Sequence, residues 1–156
     1  MKAIQYSFVQ ELNGKNIYNL GFGDYDFESD IIVDDINTNN GDAYKVFKTV
    51  LSTIPIFFEN YSSNILMIQG SDGRPEFIEQ CRLACKKKCI NECKNYNRRI
   101  TIYCSYINKN YERLSADYHF FGGIKNQEQQ TLIEPYQTYK GYDLVFLLQK
   151  MYNFMI

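Results

Sequence analysis

Ile4, Tyr6 and Phe8 alternate with polar neighbours, the period of a half-buried strand. Glu11-Leu12-Asn13-Gly14 follows, and Asn-Gly between hydrophobic stretches is the strongest short hairpin signal. Asn16–Phe22 is then the returning strand. A loop rich in Gly and Asp (Gly23, Asp24, Asp26, Ser29, Asp30) leads to a third strand, Ile31–Ile36. Beyond it Ala43, Val46, Phe47, Val50, Leu51, Ile54, Phe57, Phe58 and Tyr61 recur with helical period, predicting one helix from Asp42 to Tyr61. Asn39 or Asn40 would cap it, Asp42 would sit in its first turn, and Pro55 would kink it.

Ile65–Ile68 is an unbroken apolar run, as expected of a central strand. Pro75 suits the first turn of a second helix, whose buried side would be Phe77, Ile78, Cys81, Ala84, Cys85, Cys89 and Cys93. Ile100, Ile102, Cys104 and Tyr106 alternate, so Arg99–Ile107 reads as a strand. Asp117–Phe121 and Tyr142–Lys150 read as two more, separated by a polar loop from Gly122 to Thr131. The order β-β-β-α-β-α-β-β-β predicts a single α+β domain over 1–156, a mainly antiparallel sheet with two helices packed on it.

The 156 residues are enough for a core without metal or disulfides. Five cysteines, an odd number, point to free thiols in a reducing compartment. MKAIQYSFVQ reads as a strand rather than an export signal, and no apolar run approaches bilayer length, so a cytoplasmic, membrane-free protein is expected. The aromatic share is 16%, 14 Tyr and 11 Phe without Trp, which suits ring packing in core and sheet more than a base-stacking platform.

Net charge is −1, but its distribution changes the picture. Residues 1–73 carry ten acids against four bases, and residues 74–113 carry ten bases against four acids. Such polarity steers a charged partner, or lets the two segments meet within the fold or between copies of the chain. The second meaning is preferred.

The basic segment holds the densest candidate chemistry, CRLACKKKCINECKNYNRR at 81–99. Cys81, Cys85, Cys89 and Cys93 fall at every fourth position, which makes a sulfur stripe along one helix face. At about 1.5 Å rise per residue the outer two lie ~18 Å apart, so the four cannot share one ion. They are read as small apolar core residues, and no metal is expected. Lys86, Lys87, Lys88, Arg98 and Arg99 then face outward as binding residues. A pI near 5.8 disfavours a dedicated nucleic-acid binder and leaves a protein partner or self-association.

Three enzymatic readings compete. Asp24, Asp26, Asp34 and Asp35 in this strand order invite comparison with ribonuclease-H-like nucleases, but those need an acid on the first strand and Ile4–Val9 has none. His119, the sole histidine, would have to serve any His-dependent general acid–base step or Cys–His pair, yet it lies in a strand-like Tyr118-His119-Phe120-Phe121. Asn39-Asn40-Gly41-Asp42 and Gly70-Ser71-Asp72-Gly73-Arg74, each entering a helix, resemble the acyl-CoA-binding layout of the acetyltransferase superfamily, where backbone amides hold a pyrophosphate. Here Asp42 puts negative charge where phosphates would sit, so no cofactor is expected. Gly70, Ser71, Asp72 and Arg74 join the lysines and arginines as candidate binding residues. An enzyme would gather Asp72, Arg74 and His119 around one cleft.

Asn19-Leu20-Gly21-Phe22-Gly23-Asp24, Asp34-Asp35, Asn40-Gly41-Asp42, Gly70-Ser71-Asp72, the Cys/Lys helix with Arg98-Arg99-Ile100, Tyr118 to Gly123 and Tyr142-Asp143 together resemble a family of small bacterial proteins of unknown function. The resemblance implies a compact cytoplasmic single-domain protein and brings no activity, cofactor or catalytic residue.

Overall fold

A computed structural model describes residues 2–29, 31–33, 42–70, 79, 82–83, 98–128 and 130–150. Its elements are strands β1 (Lys2–Leu12), β2 (Lys15–Asp26) and β3 (Ile31–Val33), helices α1 (Asp42–Leu51) and α2 (Ile54–Asn60), strand β4 (Ile65–Ile68), helix α3 (Arg98–Leu114), and strands β5 (Tyr118–Lys125), β6 (Thr131–Pro135) and β7 (Leu144–Gln149). The class is α+β.

β1 and β2 form the expected hairpin. Asn13 (φ 52°) and Gly14 (φ 79°) both take left-handed backbone, which a two-residue turn demands and which this pair of residues tolerates. The strands pair from Lys2↔Asp24 to Leu12↔Lys15, with a bulge between Phe8 and Gln10. β1 occupies one side of β2, so the other side receives β4 at residues 17–19 and β3 at residues 24–26.

The seven strands make one sheet in the order β1-β2-β4-β7-β5-β6, with β3 beside β2. It is mixed rather than mainly antiparallel: β4 runs parallel to β2, because the chain leaves the sheet through α1 and α2 and re-enters in the same direction. The other pairings are antiparallel.

The single kinked helix expected over 42–61 is two helices. α1 ends at Leu51, and Ser52 and Thr53 tighten onto the carbonyls of Thr49 and Val50 at 3.1 and 3.0 Å. Pro55 stands in the first turn of α2, where a missing N–H costs nothing. The Thr53 hydroxyl donates to Val50 O at 2.7 Å and meets the Tyr6 hydroxyl at 2.8 Å, pinning the break to β1.

Residues 99–107, expected as a strand, lie inside α3. Ile100, Cys104 and Ile107 are buried with Tyr103, Tyr111 and Leu114 packed against the same core, a helical repeat. The expected loop from Gly122 is also corrected: β5 continues to Lys125, the turn is 126–130, and β6, unforeseen in the sequence, follows. Asn126 closes that turn, its side-chain oxygen accepting from the amides of Glu128 and Gln130, both at 2.9 Å.

Both helical units pack on one sheet face. Val50, Ile54, Phe57, Phe58, Ile100 and Ile107 bury Leu20, Leu66, Ile68, Phe120, Val145 and Leu147. The opposite face holds a second cluster of Ile17, Ile65, Leu144 and Phe146. β4 and β7 alternate between the two clusters, so both are central strands with apolar residues on each side. The third strand's expected extension to Ile36, the caps at Asn39 and Asn40, and the four-cysteine stripe lie outside the described residues.

Candidate functional site

The densest polar assembly among the described residues sits where α3 meets the β5–β6–β7 end of the sheet. The second turn of α3 brings Cys104 to the core at 5% exposure. One turn on, Asn108 Oδ1 accepts from the Tyr136 hydroxyl at 2.7 Å. Tyr136 follows β6 directly, and its amide bonds Phe120 O on β5 at 3.0 Å, which fixes the ring against α3. The ring stacks on Tyr111 (centroids 5.5 Å, 19°) and lies 5.1 Å from Tyr142.

Tyr142 fills the space above Gly122, where any side chain would collide with its ring. Its hydroxyl accepts from the Gln137 amide at 3.0 Å and donates to Glu134 Oε1 at 2.8 Å. Glu134 also takes Lys140 Nζ, so the 136–141 turn is closed by a Lys–Glu–Tyr chain. Asp143 Oδ2 accepts from the Lys125 amide at 2.8 Å, holding the start of β7 to the end of β5.

Burial pushes the Cys104 thiol up, against the opposing pull of the Tyr136 hydroxyl beside it. Burial, then the neighbouring thiol, pushes the Tyr136 hydroxyl far up. Tyr142 is raised by burial and by its bond to Glu134. Glu134 is held below the usual carboxylate range by Lys140 first and Tyr142 second. At neutral pH the thiol and phenols of the cluster are therefore protonated and uncharged, and the Lys140–Glu134 ion pair lies at the rim. A protonated thiol is neither a nucleophile nor a metal ligand without losing that proton. The arrangement ties a helix and a turn to the sheet.

Brief alkylation followed by peptide mapping tests this state directly. Cys104 is expected to stay unmodified in the native protein and to label fully in denaturant. Labelling of native Cys104 at the rate of a free thiol would contradict the burial.

Most of the sequence-derived candidates lie outside the described residues. Gly70 follows β4 and is buried, while Ser71, Asp72, Arg74, Lys86, Lys87 and Lys88 lie outside the described residues. Arg98 and Arg99 open α3 rather than a strand. His119 is exposed on β5 opposite Leu148, a residue packed on the second sheet face, whereas Cys104 belongs to the helix face, so the two form no Cys–His pair. Among the described residues no three His, Cys, Asp or Glu side chains gather as a metal site.

The chain matches the Family of unknown function (DUF6934) over residues 1–83, more than half its length. The chain belongs to this family. The DUF6934 match takes in the β1–β2 hairpin, β3, α1, α2 and β4, and stops before the tyrosine cluster. No curated protein and no solved structure matches the chain. No helix among the described residues is long and apolar enough to cross a membrane.

Sequence reasoning missed Asn108, Glu134, Tyr136 and Tyr142. The available signal was Gly122-Gly123 amid aromatic residues, since a glycine inside a strand marks a close approach by something large.

Proposed function

We propose that the chain is a binding module, with the acidic residues of 23–42 and the basic residues of 74–99 as its contact surfaces, working in the cytoplasm. The observation that carries this reading is the outer surface of the basic segment. Glu79, Arg82 and Leu83 are helical and exposed, and Leu83 is 90% open to solvent. A leucine so exposed beside an arginine suits a protein contact that combines apolar anchoring with charge. Cys104, a free thiol, agrees with a reducing setting.

The partner this charge pattern fits is a protein with an acidic face, meeting Lys86, Lys87, Lys88, Arg98 and Arg99. Co-purification from the native host, with wild type and a Lys86→Gln/Lys87→Gln/Lys88→Gln variant, is the test. Proteins enriched by wild type and lost from the variant are expected, with the loss reproduced by raised salt. Identical recovery by both chains overturns the reading. Release of everything by nuclease replaces the protein partner with nucleic acid.

A further inference from the structure

We propose that β1 is a self-association edge, pairing antiparallel with β1 of a second copy across a twofold axis. The inference rests on the binding-module reading and deepens it by naming one partner.

The two edges of the sheet are unlike. β6 is five residues long, ends at Pro135, and carries Glu134 tied to Lys140. Shortness, proline and charge are the usual devices that keep an edge from pairing, and they outweigh its exposed Leu132 and Ile133. β1 is eleven residues long, and from Ala3 to Leu12 it has neither lysine nor proline. Among the described residues it pairs on one side only, with β2. Phe8 is 59% exposed, Val9 44% and Leu12 37%, so the outer strand carries a run of apolar side chains into solvent. Phe8 is preset for contact, its ring resting edge-on against Tyr18 at 6.0 Å.

The outer amides and carbonyls of β1 pair with no strand among the described residues; such a row selects an extended strand, and charge selects its direction. Lys2 opens β1 and Glu11 stands near its end. Antiparallel self-pairing sets the Lys2 end of each copy against the Glu11 end of the other, whereas parallel pairing sets like against like. The bulge between Phe8 and Gln10 interrupts the ladder without ending the strand, and Val9 and Leu12 add an apolar border beside it. Because the β6 edge is blunted, joining two β1 edges closes the assembly as a dimer instead of a growing sheet.

Sedimentation velocity over a concentration series, on wild type and on Phe8→Lys and Val9→Lys, tests the pairing. Both substitutions are at exposed positions, and thermal unfolding checks that each variant keeps its fold. Wild type is expected to dimerise and both variants to sediment as monomers at the same concentration. Lys2→Glu and Glu11→Lys should each weaken the dimer several-fold, and the double exchange should restore it. A wild type that stays monomeric throughout, or a dimer indifferent to Phe8→Lys and Val9→Lys, overturns the inference. Neither result touches the Lys86–Lys88 co-purification, so the two readings fail separately.

Discussion

Phe57→Ala is expected to cost about 3–5 kcal/mol of stability. Phe57 is 2% exposed and its ring lies within 6 Å of four others: Tyr6 at 4.8 Å, Phe58 at 5.0 Å, Tyr61 at 5.2 Å and Tyr18 at 5.7 Å. Those rings come from β1, β2, α2 and the residue that follows α2, so removing the central one opens a cavity that no single element can collapse into. Aromatic pairing adds to the loss beyond simple area. For a chain of this length the melting temperature should fall by about 10 °C or more. Ile56→Ala, one residue away but 58% exposed, serves as the control and should change stability by no more than about 0.5 kcal/mol. Denaturant titration of the two variants beside wild type gives the comparison. Equal effects would mean that α2 does not present Phe57 to the sheet.

Phe57 was legible in the sequence because apolar positions keep a helical period from Ala43 to Tyr61, across the break between α1 and α2. The hairpin was legible for a different reason: Asn13-Gly14 encodes an unusual backbone in two letters. Residues 99–107 show how the same reasoning fails. Ile100, Ile102, Cys104 and Tyr106 satisfy a period of two, and β-branched residues strengthen that impression, but nine residues are too short a window. Continued to Tyr111 and Leu114, the pattern is helical, and burial of Ile107 rather than Ile102 decides it. The parallel β2–β4 pairing was beyond local pattern altogether. Strand periodicity specifies which residues face the core, whereas the choice of neighbour depends on how the intervening chain packs back.

The site was less legible than the fold. Charge asymmetry and the cysteine spacing drew attention to residues 81–99, because such compositional features stand out along a chain. The tyrosine cluster has no such signature: Cys104, Asn108, Glu134, Tyr136 and Tyr142 are spread over 39 positions of sequence and become a unit only when α3 lies across β5 and β6. The edge difference between β1 and β6 is hidden for the same reason. A strand's sequence shows whether it could tolerate being an edge, and only the sheet order shows that it is one.

The same assembly sets the second large effect, Gly122→Ala. A methyl group at position 122 would lie 2.2 Å from Tyr142 Cε1 and 2.3 Å from Cδ1, far inside contact distance. Relief by the backbone is blocked, since Gly122 pairs with Val145 on one side and Glu134 on the other. Relief by the ring means breaking the Tyr142 hydroxyl from Glu134 and from the Gln137 amide. Overpacking of about 1–3 kcal/mol, plus about 1 kcal/mol for each of the two bonds surrendered, predicts a loss of roughly 3–5 kcal/mol. Gly123→Ala should cost less, because its nearest neighbours, Thr131 Cγ2 at 3.0 Å and Phe146 Cε2 at 3.1 Å, are side-chain ends that give way by a few tenths of an ångström. The decisive measurement is a double-mutant cycle with Tyr142→Ala. Once the ring is gone the alanine at 122 has room, so the double variant should be more stable than the sum of the two losses allows, by about 0.5–3 kcal/mol. Additive losses would show that Tyr142 does not rest on Gly122, and the closed turn that shields Cys104 would have to be held some other way.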